Sequence, residues 1–293
     1  MLILIADAFD KQLPKSLAKY GEVTDDLKRV PDAEIILVRS KTKADKDFLA
    51  NAKKLKLIIR GGVGMDTIDV GYCKEHHIKA MNTADASTVA VAELAFAMMI
   101  ALPNRIAQAD KSMREGKWLK KELERTELFG KTLGILGAGR IGLALATRAQ
   151  AFRMRVLGWH PDVAFTDFAE IVPSLEETVA QSDYVSLHMP LVDGTKGIIN
   201  KATLAKFKDG AYLLNTARGK LVVEEDVVLA LKSGKLAGYA TDVWYSDPPE
   251  NSVLMDAPNT LFLPHLGAST VENMTRIGIM ADRIIGEWAS THK

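Results

Sequence analysis

The sequence predicts an α/β protein with two doubly wound parallel-sheet domains, and three observations carry that reading. Short runs rich in Ile, Leu and Val alternate with longer helix-like stretches, as βα units require when a parallel sheet is buried on both faces. The chain has 293 residues, beyond the roughly 250 at which a single hydrophobic core usually stops growing. A glycine-rich turn follows one apolar run and precedes a helical pattern.

The first apolar run, Leu2–Ala6, has no basic segment before it and stops at Asp7, so it reads as a β-strand rather than a signal peptide. Ile35–Val38 and Leu57–Arg60 are the next strands, the latter leading into the turn Gly61–Gly64. Glu93–Leu102 reads as a strongly apolar helix. The longest apolar stretch, Val89–Leu102, is interrupted by Glu93 and is shorter than the roughly 20 residues a spanning helix needs, so no membrane segment is expected. From there to Gly130 the chain is polar, basic and strandless.

A second series of strands is expected at Leu133–Leu136, Arg155–Trp159, Tyr184–His188, Tyr212–Asn215 and Leu261–Pro264, with a final helix at Val271–Trp288. This organisation predicts a flavodoxin-like substrate domain at 1–97, completed by 267–293, and a Rossmann dinucleotide domain at 98–266.

Lys plus Arg total 38 against 37 Asp plus Glu, which leaves no single-sign field for nucleic acid or an anionic membrane and points to a small-molecule partner. Cys73 is the only cysteine, so no disulfide forms within the chain and no thiolate metal cluster can be built from it. A reducing, cytoplasmic setting without a metal centre is expected.

The glycines at 137, 139 and 142 match G-x-G-x-x-G between the strand Leu133–Leu136 and the helical pattern Leu143–Phe152. The first permits the tight turn, the second lets backbone approach a pyrophosphate, and the third lets helix pack on strand. The helix N-terminus then offers N–H groups to the phosphates. An acid that binds the adenosine ribose is expected at the end of the next strand, but His160 stands there, followed by Pro161 and Asp162. A histidine does not repel a 2′-phosphate, whereas Asp162 would favour the free ribose. Both NAD and NADP therefore stay open, with NAD slightly favoured.

The segments GKTLGILGAGRIG (130–142), SLHMPL (186–191), LLNTARG (213–219), TDVW (241–244) and PHLGAST (264–270) resemble, in this order, those of the D-isomer-specific 2-hydroxyacid dehydrogenases. LVRSKT (37–42), RGGVGMD (60–66) and MREGKWLKKELERTEL (113–128) resemble the phosphoglycerate-dehydrogenase branch of that family. The chain ends soon after its last helix, so a short form without regulatory domains is expected.

Reducing a 2-keto acid needs a cation for the carboxylate and carbonyl, a proton donor for the developing alkoxide, and a hydride. Arg218, in the loop after Tyr212–Asn215, falls where α/β sheets bind ligands and has the planar fork that suits a carboxylate. His265 follows another strand and is the candidate acid in reduction and base in oxidation. The adjacent His76 and His77 point to different helix faces and receive no role.

The remaining roles are those the resemblance implies. The family's glutamate partner to the histidine lies five residues beyond the Asp of its D-V-F-like motif; counting from Asp242 gives Asp247, with Glu250 as the fallback. Aspartate is one methylene shorter, so either a longer pair or a loop moved inward is expected. Asp242 would meet the nicotinamide carboxamide, Arg140 and Ile141 the pyrophosphate, and Thr216, Ala217, Gly267 and Ala268 the nicotinamide side. His188 lies in a cofactor-lining loop.

In the first domain the turn Gly62, Val63, Gly64 offers N–H groups to the substrate carboxylate, as glycine-rich anion nests do. The resemblance further implies that Arg39 and Lys120 bind a substrate phosphate, Lys120 by reaching a neighbouring subunit's site, and that the arm Asn104–Phe129 with Trp118 forms a homodimer.

The substrate expected first is D-3-phosphoglycerate or 3-phosphohydroxypyruvate, in serine biosynthesis. The alternatives are an NADPH-dependent glyoxylate or hydroxypyruvate reductase and, from another class, a catalytically silent NAD(H)-sensing scaffold. Formate oxidation fits less well, because related formate dehydrogenases carry glutamine at the place of Asp247.

Overall fold

The computed structural model describes residues 1–291. It divides into two compact units, one of Met1–Thr88 with the described residues from Ala268 onward, the other of Val89–Gly267. The first division falls at Thr88/Val89, earlier than the expected 97/98. The reason lies in the helix Thr88–Ala101, whose Ala92, Ala95, Met98 and Met99 are buried with Leu133, Ile135 and Leu145 of the second unit.

In the first unit, β1 (Leu2–Ile5), β2 (Glu22–Thr24), β3 (Ile35–Val38), β4 (Leu57–Arg60) and β5 (Lys79–Asn82) form one parallel sheet in the order β2-β1-β3-β4-β5. This is the flavodoxin order. Alternate residues of β1 serve opposite faces, as the two-residue period of a strand dictates. Leu2 and Leu4 pack with Ile36, Leu49 and Ile58, whereas Ile3 and Ile5 pack with Leu13, Leu17, Ala281 and Ile285. Ala281 and Ile285 lie on the last helix, Val271–Thr291.

The second unit holds β6 (Thr132–Leu136), β7 (Arg155–Trp159), β8 (Glu170–Ile171), β9 (Tyr184–Leu187), β10 (Ala211–Asn215), β11 (Leu236–Thr241) and β12 (Thr260–Phe262). All pair in parallel, in the order β12-β11-β10-β9-β6-β7-β8. Counted from its own first strand this is the Rossmann order with one strand added at an edge, and the chain reverses direction across the sheet between β6 and β9.

Four strands were not expected. β2, β5 and β8 are short edge strands with polar or half-exposed residues. β11 lies inside the sheet, but its Leu-Ala-Gly-Tyr-Ala-Thr run has no continuous Ile, Leu or Val stretch and is interrupted by Gly238.

The helical run Ala84–Ala101 has 18 residues and a mean hydropathy of 1.5, longer than the Val89–Leu102 stretch expected and, by length and composition alone, enough to cross a membrane. A short 3₁₀ turn, Ala84–Ser87, extends the α-helix at its N-terminus. Its fully buried alanines and methionines are those of a core helix.

Candidate active site

The carboxyl end of β6 runs into the glycine turn, and each glycine meets a different steric demand. Gly137 has φ +100°, and a Cβ there would lie 2.7 Å from the His188 carbonyl carbon. At Gly142 a Cβ would lie 2.6 Å from the Gly137 carbonyl oxygen and 2.7 Å from Ile135 Cγ2, so helix and strand touch there. Around Gly139 the space is open, the nearest atom being His160 Nε2 at 4.0 Å. Gly139 also caps the helix Arg140–Ala151, whose first residues are Arg140 and Ile141. An open glycine at a helix N-terminus, beside the point where the sheet order reverses, is a cradle that fits a dinucleotide pyrophosphate.

His160 follows β7, and its Nδ1 accepts the Asp162 backbone N–H at 3.0 Å. That bond places the proton of the neutral ring on Nε2, the nitrogen facing Gly139. His188 follows β9; its N–H donates to the Leu136 carbonyl at 2.8 Å, and its Nε2 pairs with Ser186 Oγ at 2.8 Å. Burial pulls this imidazole down to about 4, so it is neutral at pH 7 although part of its surface stays open.

Arg218, Asp247 and His265 come from the ends of three neighbouring strands, β10, β11 and β12. The turn after β10 is held by Asn215, whose side-chain amide donates to the Arg218 carbonyl at 2.8 Å and accepts from the Ala217 N–H at 3.1 Å. Arg218 is half-buried, with Nη1 donating to the Ala217 carbonyl at 2.6 Å. Between them the Thr216 hydroxyl is buried without a partner, an orphaned group of the kind a bound cofactor would use.

After β11, the Asp242 carboxylate is buried and accepts the Leu266 and Gly267 N–H groups, each at 2.7 Å. Burial pushes its carboxyl above the usual range against those two bonds. His265 lies between these anchors and the end of β12, with left-handed backbone at φ +56°. Its Nδ1 hydrogen-bonds to Asp247 Oδ2. The pair is direct, not lengthened, and Asp247 rather than Glu250 is the partner. Glu250 is exposed, its backbone N–H donating to Ser246 Oγ at 3.2 Å.

In the first unit, Arg39 and the Gly62–Gly64 turn follow β3 and β4, which are neighbours, so both lie at the carboxyl edge of one sheet. The Arg39 N–H donates to Asp7 Oδ2 at 2.5 Å and its Nη1 to the Ala8 carbonyl at 3.3 Å, while its Nε is buried without a partner. Burial pulls the guanidinium down and Asp7 opposes the shift. The Gly62 N–H is not turned to solvent but donates to Thr83 Oγ1 at 2.9 Å, and the Val63 carbonyl accepts from Asn82 Nδ2 at 2.6 Å. Gly62 has φ +146°, and a Cβ there would lie 1.8 Å from Arg60 Nη1. The nest expected across this turn therefore has its Gly62 donor already used. Lys120 is exposed on the arm of the second unit. Gly267 and Ala268 stand at the division between the units.

Sequence reasoning missed Thr83 and Asn82, which shape the glycine turn, and Trp244, whose indole N–H donates to the Leu263 carbonyl at 3.0 Å. Only the TDVW motif drew attention to Trp244. Among the described residues no group of three or more His, Cys, Asp or Glu is placed to hold a metal ion.

A Rossmann unit with an open glycine cradle, and a cation and an Asp–His pair on adjacent strand ends, define a nicotinamide-dependent dehydrogenase. Residues 96–267 match the family model described as D-isomer specific 2-hydroxyacid dehydrogenase, NAD binding domain. The chain belongs to that family of NAD-dependent enzymes.

It is 42% identical over 265 residues to hydroxypyruvate reductase of Thermotoga maritima, covering 89% of this chain and 87% of that protein. It is 38% identical over 295 residues to D-3-phosphoglycerate dehydrogenase of Methanocaldococcus jannaschii, covering 96% of this chain but 56% of that protein. Similar solved structures include the TT0316 protein of Thermus thermophilus (TM-score 0.88, 33% identity, 96% of this chain and 94% of that one). A glyoxylate reductase from Paecilomyes thermophila has a TM-score of 0.90 at 29% identity, over 99% of this chain and 95% of that one.

Proposed function

We propose that the protein interconverts a small D-2-hydroxy acid and its 2-keto acid, with 3-phosphohydroxypyruvate and D-3-phosphoglycerate as the preferred pair and NAD as the preferred cofactor. The observation that carries the reaction type is the placement of Arg218, Asp247 and His265 on three consecutive strand ends of the Rossmann sheet. On this reading the unit of the first sheet chooses the substrate and the Rossmann unit binds the cofactor.

The bound nicotinamide supplies or accepts the hydride. Gly139, Arg140 and Ile141 receive the pyrophosphate, with Gly137 and Gly142 shaping the turn; His160 faces the adenosine ribose, and His188, Thr216, Ala217, Asp242, Gly267 and Ala268 line the nicotinamide side. Arg218 holds the substrate carboxylate and polarises the carbonyl. His265, with Nδ1–H directed to the Asp247 carboxylate, presents Nε2 as the proton donor to the alkoxide and as the base in the reverse direction.

The phosphorylated substrate is supported by Arg39, half-buried beside the Gly62–Gly64 turn with an unused Nε donor, and by exposed Lys120. NAD is supported by the segment 160–168, which contains Asp162 and Asp167 and no Lys or Arg to hold a 2′-phosphate. A second reading, a reductase of hydroxypyruvate or glyoxylate, is favoured by the similarity that spans 87% of the Thermotoga hydroxypyruvate reductase. A silent scaffold would have no need of the Asp247–His265 pair. We further propose a homodimer formed through the arm 104–129, where Trp118 is 73% and Phe129 64% exposed, and residence in the cytoplasm, in keeping with the lone, buried Cys73.

The test is the initial rate of NADH and NADPH oxidation with 3-phosphohydroxypyruvate, hydroxypyruvate and glyoxylate in parallel. A preference for the phosphorylated acid with NADH supports the first reading. A preference for the unphosphorylated acids moves the chain to the second, and no turnover with any pair overturns both.

A further inference from the structure

We propose that Trp244 is a positioning residue for the reaction, holding in register the loops that carry Arg218 and His265. The inference rests on the catalytic reading above and adds a residue to it.

Trp244 is almost fully buried and touches both loops within the second unit. Its indole Nε1–H donates to the Leu263 carbonyl at 3.0 Å, two residues before His265. The Leu263 N–H donates in turn to the Thr241 carbonyl at 3.0 Å, so residue 263 is tied on both sides to the segment 241–244. Beyond the histidine, Leu266 and Gly267 are tied to Asp242 of the same segment. His265 thus stands in left-handed backbone between two anchors that share one origin. A non-glycine residue adopts that conformation at a cost, and persists in it when its surroundings over-determine it.

The other contact is with the arginine loop. A Cβ on Gly219, the residue after Arg218, would lie 2.2 Å from the Trp244 carbonyl carbon and 2.3 Å from its oxygen, so the two backbones are in van der Waals contact there. The indole ring is braced edge-on by Phe262, with centroids 5.1 Å apart and planes at 69°. A phenylalanine at 244 could fill most of this space but could not bond the Leu263 carbonyl. The hydrogen bond, and not the bulk, therefore distinguishes tryptophan here.

The experiment compares W244F, D247N, the double variant and H265Q in the full chain, with 3-phosphohydroxypyruvate and hydroxypyruvate as substrates and NADH affinity measured separately. W244F is expected to lower kcat on the order of tenfold, as a small misplacement of a catalytic group does, with KM and the Kd for NADH changed less than about twofold. Because Trp244 and Asp247 act on the same imidazole, the double variant should lose less than the product of the single losses. Wild-type kcat in W244F, or a strictly multiplicative double variant, overturns the positioning role while loss of turnover in H265Q leaves the catalytic reading intact. Wild-type turnover in H265Q overturns both. Should W244F fail to fold, Phe262→Leu, which loosens the indole, is expected to lower kcat in the same way but less, and an unchanged kcat there overturns the proposal.

Discussion

Asp247 meets His265 through Oδ2 and Nδ1, so the shorter acid reaches the imidazole directly. An ionised carboxylate only accepts, so the contact selects the tautomer that carries its proton on Nδ1 and leaves Nε2 for the substrate. Asp247→Asn keeps the size but can donate as well as accept, and the tautomer is no longer specified. We expect kcat to fall by roughly 10²-fold with little change in NADH affinity, measured by steady-state kinetics and equilibrium titration.

Arg218→Ala should remove the cation that the keto acid's carboxylate and carbonyl share. Turnover is expected to drop by about 10³-fold or more while the Kd for NADH stays within about twofold, since the cradle at Gly139 is built from other elements. Retention of turnover would reassign the cation.

The glycines of the cofactor turn should separate binding from folding. Gly139→Ala meets open space and an ordinary backbone conformation, so the fold should be kept while NADH binding weakens at least about tenfold. Gly142→Ala drives a methyl into the Gly137 carbonyl and Ile135, and is expected to destabilise by about 1–3 kcal/mol in urea unfolding.

His188 makes stability depend on acid. Its folded value of about 4 lies below the ordinary value of 6.5, so between these the unfolded chain binds more protons than the folded one. The contribution is complete above pH 6.5 and is lost as pH falls from 6.5 toward 4, on the order of 3 kcal/mol in all. Urea unfolding of the wild type and of His188→Gln at pH 7 and pH 5 checks this: the variant should show the smaller decline.

The parallel strands buried on both faces were legible because their Ile, Leu and Val runs are continuous, and the glycine turn was legible because its three demands fall at fixed spacing. The edge strands β2, β5 and β8 were not, since half their residues face outward and carry no apolar run. At the site, residue type at the strand ends pointed to Arg218 and His265, and motif likeness to Asp247 ahead of Glu250, but that the aspartate bonds the imidazole directly is visible only in the fold. Trp244 to Leu263, Asp242 to Leu266 and Gly267, and Thr83 to Gly62 are contacts between residues distant in sequence, with a backbone group at one end. Backbone partners leave no trace in residue type, so no pattern announces them.

Arg218, Asp247 and His265 hang from three strands whose mutual pairing is backbone to backbone, and Arg39 with the Gly62–Gly64 turn hangs from a different sheet with its own core. On the proposed assignment, one folded body keeps the reaction and another keeps the choice of acid. Mutation can then explore new substrates in the body that chooses the acid without disturbing the alignment that the other needs for proton and hydride transfer. A single chemistry diversified over many acids is what such a partition makes easy, and a change of chemistry is what it makes hard.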